Sequence, residues 1–190
     1  MQKICSGSGK EPLTVSEYFK EYDGDHLAPY RALGITTPDE ELNALYRRVY
    51  SEHMEKVQAF AGVRKTLNEL RERGVTVVLL TGQEMNLAIP VLERLNIYRC
   101  FHSKLFRVHN KSREMENVVA LVNSKKRGGA NEIDPRDCYS IGDTPFDIRQ
   151  AKQAGVTSVA FLTGYIEHGL LVREKPDFSI TSFENLKRLR

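Results

Sequence analysis

From Gly62 onward, apolar positions switch between helical spacing and short unbroken runs, the pattern of helices laid over a parallel sheet. Val63, Leu67 and Leu70 share one helical face, and Gly74 is placed to stop that helix. Val75-Thr-Val-Val-Leu-Leu80 follows as a buried strand closed by Thr81-Gly82. A helix is predicted around Asn86 to Leu95, with Pro90 close enough to its start to be tolerated, then a short strand within Tyr98 to Val108 and a helix over Lys111 to Val122. After a polar loop, Ser124 to Pro135, come a buried strand Cys138 to Ile141, a helix from about Pro145 to Gly155, a strand Ser158 to Leu162 and a last short strand near Phe178 to Ile180. The fold class is α/β.

Before Gly62 the texture is helical without intervening strands. One segment runs from Val15 to Leu33 and another from Thr37 or Pro38 through about Val57, where Leu42, Leu45, Tyr46 and Val49 form an apolar face and Thr37-Pro-Asp-Glu40 has a capping signature. A helical pair ahead of an α/β domain reads as a cap or lid over the carboxyl edge of the sheet. Tyr18, Phe19, Tyr22 and His26 can face the cleft, although aromatics at helical spacing are more often core residues.

A chain of 190 residues fits one domain with a real core and a small insertion. Its 28% charged and 41% hydrophobic residues exclude a disordered or membrane chain, and its polar start lacks the apolar stretch of a signal peptide. A cytoplasmic location with no membrane partner is expected. Cys5, Cys100 and Cys138 are odd in number and unpatterned, which favours free thiols. A net charge of +3 and short basic clusters at 125–127 and 187–190, with no aromatic interleaving, give no support for nucleic-acid binding.

The chemistry concentrates in Cys138-Tyr-Ser-Ile-Gly-Asp143-Thr-Pro-Phe-Asp147, where a strand becomes a helix. Thr144 suits an N-cap and Pro145 the first helical position, so Asp143 ends the strand and Asp147 projects from the first turn. Two carboxylates so placed suit Mg²⁺, which takes one or two carboxylates plus water and phosphate oxygens; they equally suit an acidic cap stabilised by the helix dipole. In open α/β sheets ligands bind beyond the carboxyl ends of strands, and Thr81-Gly82 occupies another such end. The Thr81 hydroxyl and the Gly82 and Gln83 amides can receive an anion there, and Lys111, opening a helix, can reach that rim.

Val77-Val-Leu-Leu-Thr81-Gly, a lysine at the start of a later helix, Ser140-Ile-Gly-Asp143-Thr-Pro-Phe-Asp147 and the closing Lys175-Pro-Asp-Phe-Ser-Ile180 together resemble the haloacid dehalogenase (HAD) superfamily. The resemblance covers about residues 60–190 and implies a Rossmann-like core over 61–190 with a small helical cap at 14–60. It implies that Thr81 and Gly82 bind the transferring phosphoryl group, that Lys111, with Lys104 as the alternative, stabilises its charge, and that Asp143 and Asp147 hold Mg²⁺ directly or through water. The substrate would be a small phosphorylated metabolite.

Members of that family open with an apolar strand ending in Asp-x-Asp-Gly-Thr, which this chain lacks. Residues 1–13 stand in its place as a degenerate segment, with Ser8 and Lys10 where nucleophile and general acid belong. An unassisted Ser is a poor nucleophile, and a Lys would repel the metal. Asp23-Gly-Asp25 is the only Asp-x-Asp in the chain and reads as a helix break. The central strand of the sheet is therefore expected to be absent or degenerate. Either residues near Gln2 to Cys5 replace it, or its neighbours close up, or the chain is a shortened product. The resulting expectation is a Mg²⁺-dependent phosphohydrolase impaired by loss of its nucleophile, with a non-catalytic phosphate- and metal-binding regulatory protein as the alternative.

Overall fold

The computed structural model describes residues 5, 7, 9–22, 24–124, 132–163 and 165–188. The chain divides into two compact units, Met1–Arg107 and Val108–Arg190. In the first lie α1 (Val15–Glu21), α2 (Ala28–Ala32), α3 (Asp39–His53), α4 (Val63–Glu72), β1 (Val78–Leu80), α5 (Met85–Arg94) and β2 (Ser103–Leu105); in the second lie α6 (Lys111–Ser124), β3 (Tyr139–Gly142), α7 (Pro145–Gln153), β4 (Thr157–Phe161), α8 (His168–Arg173) and β5 (Phe178–Ile180). The fold is α/β with parallel pairing throughout: β1 with β2 in one sheet, and the order β3-β4-β5 in another.

The helical segment expected from Val15 to Leu33 is interrupted at Gly24 and Asp25, inside the Asp-x-Asp that reads as a helix break. Gly24 takes a φ of 105°, and Asp25 accepts the Leu27 amide at 2.9 Å and pairs with Arg31 at 2.7 Å, so α1 and α2 are separate helices. Asp23 lies outside the described residues. α1 starts with a capping box in which the Thr14 hydroxyl accepts from Glu17 N and the Glu17 carboxylate accepts from Thr14 N. The capping signature at Thr37 is not realised: Pro38 occupies the N-cap of α3 without a side-chain bond, and Asp39 pairs instead with Arg31. Cys5, Leu27, Tyr30, Ile35 and Leu42 form the buried cluster here, with Tyr18 packed against it. Cys5 is helical rather than extended, and residues 2–4, the rest of the expected surrogate strand, lie outside the described residues, as do Ser8, 125–127 and 189–190.

Helices α4, α5 and α7 end alike. Gly74 (φ 78°), Asn96 (φ 55°) and Gly155 (φ 71°) each follow the C-cap in the left-handed region, and the next residue's amide returns to the helix: Val75 to Leu70, Ile97 to Leu92, Val156 to Ala151. This explains why β1 is shorter than expected. Val75 closes a helix, and the Val77 amide donates to His102 Nδ1, so regular pairing begins only at Val78. Pro90 sits inside α5, further in than its expected place near the start.

In the second unit β4 is buried at every residue, flanked by β3 and β5, and Val159, Phe161, Ile180 and Leu186 form its core. β3 was expected to be buried, yet Ile141 is 38% exposed. Among the described residues β3 pairs on one side only, with β4, and β1 only with β2, which leaves each strand one unpaired edge.

Candidate phosphate and metal site

The Gly142-to-Asp147 segment is organised around one carboxylate. Asp147 is the third residue of α7, and its Oδ2 accepts from the Thr144 amide at 3.2 Å and the Thr144 hydroxyl at 2.7 Å, while the Thr144 hydroxyl accepts the Asp147 amide at 3.1 Å. Both halves of a capping box are thereby closed, with Pro145 at the first helical position where its missing N–H costs nothing. Gly142 is required by this packing: a Cβ there would fall 2.2 Å from the Asp147 Cβ. The other oxygen, Oδ1, accepts from Lys111 Nζ at 2.6 Å, the side chains being 20% and 11% exposed for Lys111 and Asp147. The first turn of α6 thus delivers a cation to the first turn of α7, two helices that pack together.

Asp143 stands between strand and helix, half-buried. Burial raises its carboxyl above the usual range, and the neighbouring Asp147 charge pushes it further the same way, against the pull of its own backbone amide and of Lys111. Asp143 is therefore a carboxylate short of positive charge.

The structure brings Lys111, Asp143 and Asp147 together. It puts Lys104 elsewhere, with Nζ donating to Phe101 O at 2.9 Å and lying 4.4 Å from the Tyr98 ring centroid. With Asp147 Oδ2 committed to the cap and Oδ1 to Lys111, Asp143 is the carboxylate best able to meet a cation directly. Among the described residues no group of three or more His, Cys, Asp or Glu side chains converges. That donor set fits Mg²⁺, which keeps several waters and dehydrates reluctantly, better than a metal needing a full protein cage.

In the first unit the Thr81 amide extends the β1–β2 ladder to Leu105 O. The Gln83 amide, expected to face an anion, donates instead to Thr81 Oγ1 at 3.1 Å. Gly82 is exposed. Sequence reasoning missed what surrounds this turn: Gln83 Nε2 donates to the Tyr46 hydroxyl at 2.8 Å, and Glu84 pairs with Arg47 at 3.1 Å. These partners are 37 residues apart, and no local pattern announces them. All three cysteines are free, Cys5 and Cys100 being buried. None of the described helices is long and apolar enough to cross a membrane.

The family described as haloacid dehalogenase-like hydrolase matches residues 1–161. Phosphoglycolate phosphatase 1 of Pseudomonas aeruginosa is 27% identical over 143 residues, covering 75% of this chain and 51% of that protein. The phosphoglycolate phosphatase of Agrobacterium fabrum is 27% identical over 153 residues, 78% of this chain and 64% of its own length. The chain thus spans between half and two thirds of these relatives. A haloacid dehalogenase-like hydrolase of Streptococcus pneumoniae superposes with a TM-score of 0.77 at 16% identity, over 98% of this chain and 86% of that one, a likeness of fold. The match of most of the chain to one family, on a fold of the same kind, identifies it as a member of the haloacid dehalogenase-like hydrolases.

Proposed function

We propose that this chain binds a small phosphomonoester together with Mg²⁺ and that its phosphohydrolase turnover is reduced or absent. The observation that carries the reading is the Lys111–Asp147 pair set beside an Asp143 short of positive charge. Phosphoryl transfer is governed by positioning and by neutralising charge on the equatorial oxygens. Lys111 offers a half-buried ammonium for that purpose, and the Thr81 hydroxyl and Gly82 amide are neutral donors of the kind phosphate oxygens accept. Asp143 would hold Mg²⁺ directly and Asp147 through water; when bound, the ion supplies charge neutralisation and orientation.

Low turnover follows from the carboxylates. Asp25, the described half of the only Asp-x-Asp, spends its oxygens on Leu27 and Arg31, as a helix break does. The names of the relatives direct the choice of substrate toward small phosphorylated acids, and the free thiols suit a reducing cytoplasm. The test pairs phosphate release from p-nitrophenyl phosphate, with Mg²⁺, with calorimetric binding of inorganic phosphate. Binding without appreciable release, lost in Thr81→Ala and Asp143→Ala, is expected. Absence of binding would end the proposal, and brisk turnover indifferent to Asp25→Asn would end its claim of a disabled nucleophile.

A further inference from the structure

The turn after β1 contains a residue whose every polar atom is engaged. Gln83 gives its amide to Thr81 Oγ1 (3.1 Å), receives the Arg107 amide on its carbonyl (3.1 Å), accepts the Glu84 amide on Oε1 (3.0 Å) and donates from Nε2 to the Tyr46 hydroxyl (2.8 Å). The Glu84 amide can only donate, so it fixes which end of the Gln83 carboxamide is oxygen; the end facing Tyr46 must be the NH₂. The Tyr46 oxygen is therefore an acceptor toward Gln83, and its own proton is left over, with no acceptor among the described residues. The same logic applies to Thr81, whose oxygen accepts the Gln83 amide and whose proton must point away from it.

Tyr46 has little freedom to turn away, since its ring lies 5.0 Å from that of His26 and 6.0 Å from that of Tyr50. Two hydroxyl protons are thus held on either side of one glutamine. Its length plus two hydrogen bonds is at most about 11 Å, the reach of a small phosphomonoester with its own hydrogen bonds. Arg47, the nearest cation in sequence, is already matched by Glu84, so the pair adds no net charge with which to select an anion.

We propose that Tyr46 is a specificity-determining residue that donates a hydrogen bond to an oxygen on the leaving group of a small phosphomonoester, and that Gln83 is the positioning residue that keeps the Tyr46 and Thr81 protons directed outward. The preferred substrates carry a carboxylate, carbonyl or hydroxyl next to the phosphoester rather than an apolar alkyl group. The inference rests on the reading of Thr81 as a phosphate contact.

The experiment is calorimetry on the whole chain with Mg²⁺, using inorganic phosphate, ethyl phosphate and 2-phosphoglycolate as probes. The wild-type chain should bind 2-phosphoglycolate about tenfold more tightly than ethyl phosphate, the usual scale for one hydrogen bond to a charged acceptor. Tyr46→Phe should bring the ratio to about one while leaving ethyl phosphate affinity within about twofold. Gln83→Glu keeps the acceptor for Glu84 but turns an acceptor toward Tyr46, which draws the phenol proton inward; the ratio should collapse although the Tyr46 hydroxyl is still present. A merely structural role for Tyr46 would not predict that. A ratio near one in the wild type, or a ratio that survives Tyr46→Phe or Gln83→Glu, overturns the inference while phosphate binding stands. If the wild type binds none of the three probes, the phosphate reading of Thr81 fails and takes this one with it.

Discussion

Lys111 Nζ lies 2.6 Å from Asp147 Oδ1, joining the first turns of two helices 36 residues apart. The lysine ends a helix-to-helix contact and the aspartate ends a capping box, so one carboxylate serves fold and site together. Asp147 closes the capping box of α7 with one oxygen and holds the Lys111 ammonium with the other.

The pair is mostly buried, so breaking it exposes an uncompensated charge. Lys111→Met should cost about 2–4 kcal/mol, somewhat below the range for fully buried pairs because the lysine retains some solvent. Asp147→Asn loses the ion pair but keeps one oxygen for Thr144. In urea unfolding the double variant should be less destabilised than the sum of the singles. Additive losses would mean that the two groups do not interact in solution.

Gly142→Ala places a methyl 2.2 Å from the Asp147 Cβ, and a strand end cannot yield cheaply to a helix start. A loss of about 2–3 kcal/mol is expected, with Thr144→Ala costing about 1 kcal/mol through the cap alone. Thermal unfolding followed by circular dichroism ranks the two; equal stability of Gly142→Ala and wild type would refute the close approach.

Asp143 favours its protonated form because of burial and Asp147. With the folded-state value raised, the stabilising protonated form is lost as pH rises from the ordinary carboxylate range through that value, and at neutral pH the ionised group is a burden. Asp143→Asn should therefore raise Tm in the absence of metal. Added Mg²⁺ should raise Tm of the wild type but not of the variant. A variant less stable than wild type without metal would contradict the burden.

Burial raises the phenols of Tyr18, Tyr30 and Tyr46, that of Tyr30 from 10.0 to about 12. The contribution of Tyr30 is complete below the unfolded value of 10.0 and is lost as pH climbs from there through about 12, and those of Tyr18 and Tyr46 are lost in the same direction. Tm should fall over that interval while phenolate absorbance lags behind that of free tyrosine, and Tyr30→Phe should flatten part of the fall. Phenolate appearing at the free-tyrosine position, before any unfolding, would show that the ring cluster is open to solvent.

By itself the sequence determined the α/β class, the order of helices and strands after Gly62 apart from the short α8, which it missed, the stops at Gly74 and Gly155, and the Thr144-Pro145 start of α7. These rest on periodicity and on backbone preferences of single residues, which act over one or two turns. The same locality made it overreach at Val75, whose apolar character suggests a strand although its amide is needed to close α4. It also left Asp147 ambiguous, since helix capping and Mg²⁺ binding use the same residue type at the same place. Only tertiary structure decided that Lys111 rather than Lys104 meets Asp147, that Gly142 is required by Asp147 packing, and that Gln83 ties Tyr46 to Thr81. Each of these depends on distances between elements separated by many residues or on packing in three dimensions, information that hydrophobic spacing along one chain does not contain.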